Sequence, residues 1–385
     1  MPPVVIDVHN ADDLRDVIHR AVQALAEGEL VAFPTETVYG LAASALDADA
    51  VTCLVELKGR GPNHPLALAV KSADDALDYV PDISHVGRRL ARRCWPGPVT
   101  LVLGDNHPDS LLRQLPEKVQ KCVVPANTLG LRVPAHRLIL GVLQLMAGPL
   151  VLTSANRTEE PDAVTAQQVI DQLGDGVQLV LDDGTSQFGQ PSSVVQVEKN
   201  RLRMLREGVV SASTLSRLTN FMVLLVCTGN TCRSPMAEVL LKKQLADRLQ
   251  CELDELQDQG VDVLSAGIAA AAGGRPSSGA VTVMQEKGLD LSEHFSQPVT
   301  ARLVQHADLI LAMTRSQRDA LISHCPEAAS RTHVLSTEEQ DVSDPVGGSV
   351  DVYRECADQI YGNLLNRLES FNLDELIGSV DVGGL

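Results

Sequence analysis

Two apolar rhythms alternate along this chain. One runs unbroken or with a period of two over four to seven residues, as strands do; the other recurs every three to four residues, as helices do. Residues 11–29 carry Leu, Val, Ile and Ala at helical spacing and predict a helix. "ELVAFPTETVYG" follows as a strand running into a loop. Up to about residue 210, β-branched runs ("LALAV", "VTLVL", "LGLRVP", "PLVLTSA", "VQLVLDD", "SSVVQV") alternate with short helical stretches. That alternation predicts a mixed α/β twisted sheet. The small, polar "SASTLSRLTN" then reads as a linker, placed at 213–220 between a domain at 1–212 and a second at 221–370.

Beyond it the pattern restarts. "FMVLLV" is a short buried strand, "SPMAEVLLKKQLADRL" a helix, "VDVLSAG" a strand, "SGAVTVMQEKG" a helix and "ADLILAM" a strand. The order β-loop-α-β-α-β predicts a doubly wound parallel sheet. A last helix is expected at 349–370, and 371–385 reads as a loose tail.

A length of 385 residues suits two domains. Only 3% of residues are aromatic, so Leu, Val, Ile and Ala must fill the cores. No apolar run reaches the ~18 residues of a membrane span. The N-terminus lacks a basic region followed by an apolar one, so no secretory signal is expected. The eight cysteines include no CxxC pair. With no export signal this predicts reduced thiols, a cytoplasmic location and no structural zinc. The net charge is −18, and both halves are negative, unlike a strong nucleic-acid binder. Arg88, Arg89, Arg92 and Arg93 are a local exception, either a solvated helix face or a contact for RNA or nucleotide.

The densest chemistry is "VCTGNTCRSPMAE", between the first strand of the second domain and its helix. Open α/β sheets bind ligands at that edge. Loop N–H groups and the helix N-terminus make an anion cradle there. Arg233 adds a fork for two phosphoryl oxygens. The same positive field favours a thiolate at Cys227, a nucleophile in line with a bound phosphoryl group. Alone, Cys227 would be a small buried hydrophobe and Arg233 a surface charge. An acid must protonate the leaving group, and "SDPVGGSVDVYREC" offers Asp344, a position also common at simple turns.

These residues, with "SAG" at 265–267, "ADLILAMT" at 307–314 and "DPVGGS" at 344–349, resemble the low-molecular-weight protein-tyrosine phosphatase family. The resemblance implies Cys227 as nucleophile, Arg233 as phosphate clamp, and Asp344 as general acid and then base. Asn230 would hold the loop's strained shape and Ser234 would hydrogen-bond the thiolate. No cofactor or metal is implied, and the substrate would be a phosphoprotein. Cys232 resembles a neighbouring cysteine that in relatives forms a protective disulfide with the nucleophile. Thr231 stands where tyrosine-cleaving members generally carry an apolar residue that packs on the phenol ring. "CTGNTCRSPMAE" more closely resembles the protein-arginine phosphatase branch. A guanidinium carries several N–H donors, and an apolar wall would leave them unpaired at ~1–3 kcal/mol each. Val346 replaces the aromatic that relatives usually carry after Asp-Pro.

In the first domain the marked segments are "FPTETVYGLAASALD", "KGRGPNHPLAL", "WPGPVTLVL", "LGLRVPAHR", "GPLVLTSANRTEEP", "DDGTSQFGQPSSVVQV" and "MLREGVVS". They are polar loops rich in Thr, Ser, Asn, Lys, Arg and Gly that could converge on a phosphate-bearing ligand. Lys58 and Arg60, one residue apart, could both reach triphosphate oxygens. In this order the segments resemble the Sua5/YrdC threonylcarbamoyl-AMP synthase family over residues 10–212. The implied reaction joins L-threonine, bicarbonate and ATP, with Mg²⁺ on the phosphates, and a separate transferase would then modify tRNA. By that resemblance Thr35, Arg132, Ser154 and Ser192 would hold threonine, and Lys58, Arg60, Asn156 and Arg206 would hold ATP. Gly61, Ser193 and Glu207 depart from the family's usual residues, and the glycine common after Ser-Ala-Asn is missing.

Two readings follow: a fusion of two enzymes, or a phosphatase attached to a non-catalytic nucleotide- or RNA-binding module. The first is favoured by the phosphate-binding charges being in place.

Overall fold

The computed structural model describes residues 2–59, 65–370, 376 and 381–382. The chain divides into two compact units between Ser216 and Arg217. The expected linker at 213–220 is not extended: Ala212–Arg217 form a short helix with Leu215 buried. The tail at 371–385 lies largely outside the described residues; Asp381–Val382 pair in parallel with Arg201–Leu202 and belong to the first unit. Among the described residues no helix is long and apolar enough to cross a membrane.

The first unit is built on a mixed sheet. Its strands are β1 (Val4–Asp7), β2 (Val31–Phe33), β3 (Gly40–Ser44), β4 (Ala67–Ala69) and β5 (Val99–Gly104), then β6 (Thr128–Arg132), β7 (Leu150–Ser154), β8 (Leu179–Asp182), β9 (Ser193–Glu198) and β10 (Arg201–Arg206). They lie in the order β1-β8-β2-β3-β7-β4-β6-β5-β9-β10. Strand side chains alternate faces, so each strand serves two layers. Val31, Phe33, Ala42, Leu150, Leu179 and Leu181 pack on Val17, Ala21 and Leu25 of the helix Leu14–Ala26 and on Leu138, Ile139 and Val142 of the helix Arg137–Leu145. Elsewhere in the sheet, Thr100 and Val102, Gly130 and Arg132, and Val194 and Gln196 occur at period-two spacing around a cavity.

The second unit is a four-stranded, wholly parallel sheet with strands β11 (Phe221–Cys227), β12 (Val261–Gly267), β13 (Leu309–Ala312) and β14 (Thr332–Val334), in the order β12-β11-β13-β14. β11 is buried on both faces, which explains its unbroken apolar run. Phe221, Val223 and Leu225 pack with Met236 and Leu240 of the helix Arg233–Leu249, and with Ile360 and Leu364 of the helix Val350–Glu369. Leu224 and Val226 pack the other way, with Val304 and Leu321. β11 therefore stands where the winding reverses, and its C-terminal end opens the crevice in which such sheets bind ligands.

Leu225 is fully buried in this layer. Leu225→Ala is expected to destabilise the second unit by about 2–5 kcal/mol. Urea titration followed by hydrogen exchange in β11–β14 checks this; a loss under 1 kcal/mol would mean that the layer collapses around the gap.

Candidate active sites

β11 ends at Cys227, and the chain turns through 228–232 into the helix Arg233–Leu249. The loop curls around the thiol. Cys227 Sγ lies 2.9 Å from Ser234 Oγ and accepts the Asn230 N–H at 3.2 Å. Asn230 has φ +53°, in the left-handed region. Its side chain holds that shape: Nδ2 donates to Ser234 Oγ at 3.0 Å and to Ser265 Oγ at 2.9 Å, and Oδ1 accepts from Gln297 N at 2.9 Å. Ser265 donates in turn to Glu238 Oε2 at 2.7 Å. His294 Nε2 lies 3.0 Å from the Asn230 carbonyl oxygen. β12 closes the other side, where Ile268 N and Ala269 N donate to the carbonyls of Cys227 and Thr228, each at 3.0 Å. A Cβ on Gly267 would stand 2.5 Å from Thr228 O, so this approach requires glycine.

Arg233 is buried, donating to Val342 O at 3.3 Å and to Asp344 Oδ2 at 2.5 Å. Asp344 is half-exposed, and its Oδ1 accepts from Val346 N at 3.2 Å. The structure thus brings together Cys227, Asn230, Arg233, Ser234 and Asp344, although Asp344 is 111 residues from Arg233 in sequence. Val346 is 68% exposed, so it forms no closed wall.

Thr231 is half-buried. Its carbonyl accepts from Ser277 N at 2.9 Å, and its hydroxyl lies 3.7 Å from Cys232 Sγ. Cys232 is buried, donates to Ser277 Oγ at 3.2 Å and sits 3.6 Å from Tyr353 Oη. Cys227 and Cys232 are both free thiols. Burial pushes the Cys356 thiol up to about 12, so it stays protonated and unreactive near neutral pH.

In the first unit a cavity of about 260 Å³ is lined by Thr35, Arg132, Ser154, Ser192 and Arg206. Arg132 is buried and fixed by Glu36 Oε1 at 2.6 Å, Thr37 Oγ1 at 3.0 Å and Gly97 O at 3.2 Å. Thr35 Oγ1 lies 2.9 Å from Thr37 Oγ1 and donates to Val38 O at 2.6 Å. Arg206 grips the Ser192 carbonyl at 2.8 Å, and Ser192 Oγ lies 3.1 Å from Thr100 Oγ1.

Lys58 is held against the Ser154–Asn156 turn. It ends the helix Ala48–Lys58, is buried, and its ammonium donates to Ser154 O at 2.7 Å, Asn156 Oδ1 at 2.9 Å and the Asn156 carbonyl. These contacts tie it to the Ser154–Asn156 turn. Asn156 Oδ1 also accepts from Ser154 Oγ at 2.5 Å, and its Nδ2 donates to Glu160 O at 2.6 Å. Arg60 and Gly61 lie outside the described residues. Ser193 is fully buried, accepting from Gly208 N and Val210 N and donating to Val210 O.

Known proteins divide the chain the same way. Residues 23–208 match the Sua5/YciO/YrdC family model, described as "Telomere recombination". Residues 222–375 match the model "Low molecular weight phosphotyrosine protein phosphatase". A putative threonylcarbamoyl-AMP synthase of Mycobacterium tuberculosis is 34% identical over 51% of this chain and 87% of its own. A protein-arginine-phosphatase of Geobacillus stearothermophilus is 38% identical over 38% of this chain and 93% of its own. The chain belongs to both families, Sua5/YrdC in its first unit and the low-molecular-weight phosphatases in its second. A threonylcarbamoyl-AMP synthase of Pyrococcus abyssi is 35% identical over half of this chain, which spans only 54% of that relative's length. A solved structure of P. abyssi Sua5 aligns with a TM-score of 0.50 at 25% identity, covering 69% of this chain and 92% of that one.

Sequence reasoning missed the supporting residues Glu36, Thr37 and Thr100 in one unit, and Glu238, Ser265, Gln297, His294 and Tyr353 in the other. Glu36 and Ser265 lay inside segments already marked, so their motifs were the available signal. Gln297 and His294 meet the loop only through tertiary folding.

The Gly267 contact yields a test. Gly267→Ala is expected to weaken inorganic phosphate binding at the Cys227 loop by about tenfold or more, since a shift of about 1 Å misplaces a whole anion cradle. Calorimetry with phosphate reads this, and unchanged affinity would show that the loop yields freely.

Proposed function

We propose that the chain carries two enzymes, a threonylcarbamoyl-AMP synthase followed by a cysteine-dependent phosphatase that favours phosphoarginine over phosphotyrosine. For the phosphatase the decisive observation is the curl of residues 227–234, with Cys227 Sγ at its centre and Arg233 and Asp344 paired beside it. The Cys227 thiolate attacks phosphorus. The bond from phosphorus to the guanidine nitrogen, or to the phenol oxygen, breaks, and Asp344 delivers a proton to the departing atom. Phosphocysteine forms. Asp344, now a carboxylate, takes a proton from water as that water attacks phosphorus, and inorganic phosphate leaves with the S–P bond broken. Ser234 stabilises the thiolate on departure. Arg233 and the loop N–H groups hold the equatorial oxygens. The preference rests on Thr231, a half-buried hydroxyl in the loop wall that can pair with the N–H groups of a guanidinium.

For the synthase, the support is one cavity that gathers Thr35, Arg132, Ser154, Ser192 and Arg206. The threonine amine adds to bicarbonate, losing water, and the carbamate oxygen attacks the α-phosphorus of ATP, releasing pyrophosphate. Arg132 is suited to a substrate carboxylate, and Arg206 to phosphate oxygens. Mg²⁺ would arrive with the nucleotide. Catalysis here is positioning and charge placement, with no protein nucleophile. The product would serve a separate tRNA-modifying transferase.

Two predictions test these readings. Phosphoarginine and phosphotyrosine peptides should be compared with wild type, Cys227→Ser and Thr231→Ile. Wild type should prefer phosphoarginine, Cys227→Ser should lose about 10³-fold or more in kcat, and Thr231→Ile should move the preference towards phosphotyrosine. An unchanged ratio in Thr231→Ile would remove the threonine from the argument. Pyrophosphate release should require ATP, threonine and bicarbonate together and should be lost in Arg132→Ala. ATP binding without pyrophosphate release would instead make the first unit a binding module.

A further inference from the structure

We infer that a second hydroxyl, Thr228, recognises the leaving group beside Thr231, and that Gln317 is the positioning residue that orients it. The inference rests on the phosphoarginine reading and extends it to residues outside the nucleophile, clamp and acid.

Gln317 is 97% buried, in the first turn of the helix Arg315–His324. It forms a capping box with Thr314: the Gln317 N–H donates to Thr314 Oγ1 at 3.3 Å, and Gln317 Oε1 accepts from the Thr314 N–H at 3.1 Å. A backbone N–H can only donate. Gln317 must therefore turn its oxygen to Thr314 and its amide nitrogen the other way. That nitrogen donates to Thr228 Oγ1 at 3.0 Å.

The polarity propagates. An amide NH₂ cannot accept, so Thr228 Oγ1 accepts from Gln317, and the hydroxyl keeps one lone pair and one proton for other partners. Thr228 is exposed, directly follows the nucleophile, and its main chain is pinned by Ala269 N at 3.0 Å. Its side chain thus has a fixed backbone, one hydroxyl lone pair occupied by the Gln317 amide, and an open face next to Cys227. The loop N–H groups are committed to the anion, so a leaving group that carries its own N–H donors must find acceptors on the loop's side chains. Thr228 and Thr231 are the two hydroxyls between Cys227 and Arg233. A guanidinium can donate to both, whereas a phenol ring has no donor to offer either.

The test uses the full chain with Thr228→Val, Thr228→Ser, Gln317→Met and the double variant Thr228→Val/Gln317→Met. The readout is the ratio of kcat/KM for a phosphoarginine peptide to that for a phosphotyrosine peptide. Thr228→Val should lower the ratio about 5- to 20-fold, the scale of one unpaired donor. Thr228→Ser, which restores the hydroxyl, should recover it to within about threefold of wild type. Gln317→Met should fall between, and the double variant should match Thr228→Val, because Gln317 acts only through that hydroxyl. A ratio unchanged in Thr228→Val, or not recovered by serine, overturns the proposal. So does a double variant markedly worse than Thr228→Val. If Gln317→Met fails to fold, the valine and serine variants still decide the role of Thr228. Wild type that cleaves phosphotyrosine but not phosphoarginine would overturn the functional reading and this inference together. Wild type that cleaves phosphoarginine with a ratio insensitive to Thr228→Val would overturn the inference alone.

Discussion

The second unit's chemistry depends on one strained residue. Asn230 sits at φ +53°, a conformation that costs an L-residue roughly 1–2 kcal/mol. Only in that conformation does its N–H turn inward to meet Cys227 Sγ. The strain is offset by bonds to four residues in three segments: Ser234 on the following helix, Ser265 on β12, and His294 and Gln297 on the loop beyond. Each net hydrogen bond contributes about 0.5–1.5 kcal/mol, so together they exceed the cost of the turn. Glycine would adopt the same φ with less strain. It could not carry the amide that joins these segments, which is the physical reason for an asparagine there.

The first unit solves a similar problem with buried charge. Lys58 binds the Ser154–Asn156 turn to the end of a helix, and Arg132 is fixed against Glu36, Thr37 and Gly97. Buried ion pairs add little net stability, because desolvation consumes most of the attraction. Their value here is orientation. Arg132 has one guanidinium nitrogen committed to Glu36 and Thr37, and another to the Gly97 carbonyl, so its plane is set before any ligand arrives. A guanidinium fixed in this way suits a site that positions its ligand.

How much of this was legible in the sequence depended on burial. β11 was readable because both its faces are covered, leaving seven apolar residues in a row. The β-loop-α order then placed the nucleophile loop at the switch of the winding. β1 (VVID) and β10 (RLRMLR) were harder to read: β1 is a four-residue edge strand whose apolar side chains are mostly exposed, and β10 sets its apolar residues between arginines. β3 is fully buried but reads "GLAAS", too small and too helix-tolerant for pattern alone. β14 has only three residues. Among the site residues, Cys227 and Arg233 lie on one contiguous motif and were found together. Lys58 is read as a triphosphate contact from its spacing to Arg60 and from the family resemblance, with no sign in the sequence of what holds it. Its helix-end position and three carbonyl and amide acceptors came from segments nearly 100 residues away.

The same distinction explains why Thr228 escaped notice while Thr231 did not. Thr231 stood out by side-chain type, since a hydroxyl replaced an expected apolar wall. Thr228 stands out only by its partner, a buried glutamine 89 residues later whose own amide is fixed by a helix cap. On the proposed reading, specificity in such a loop is set at two depths. The residue types on the loop decide which groups face the ligand. The elements packed behind it decide which way those groups point: at Thr228 the buried amide of Gln317 takes one of the hydroxyl's lone pairs and leaves the other, with the proton, facing outward.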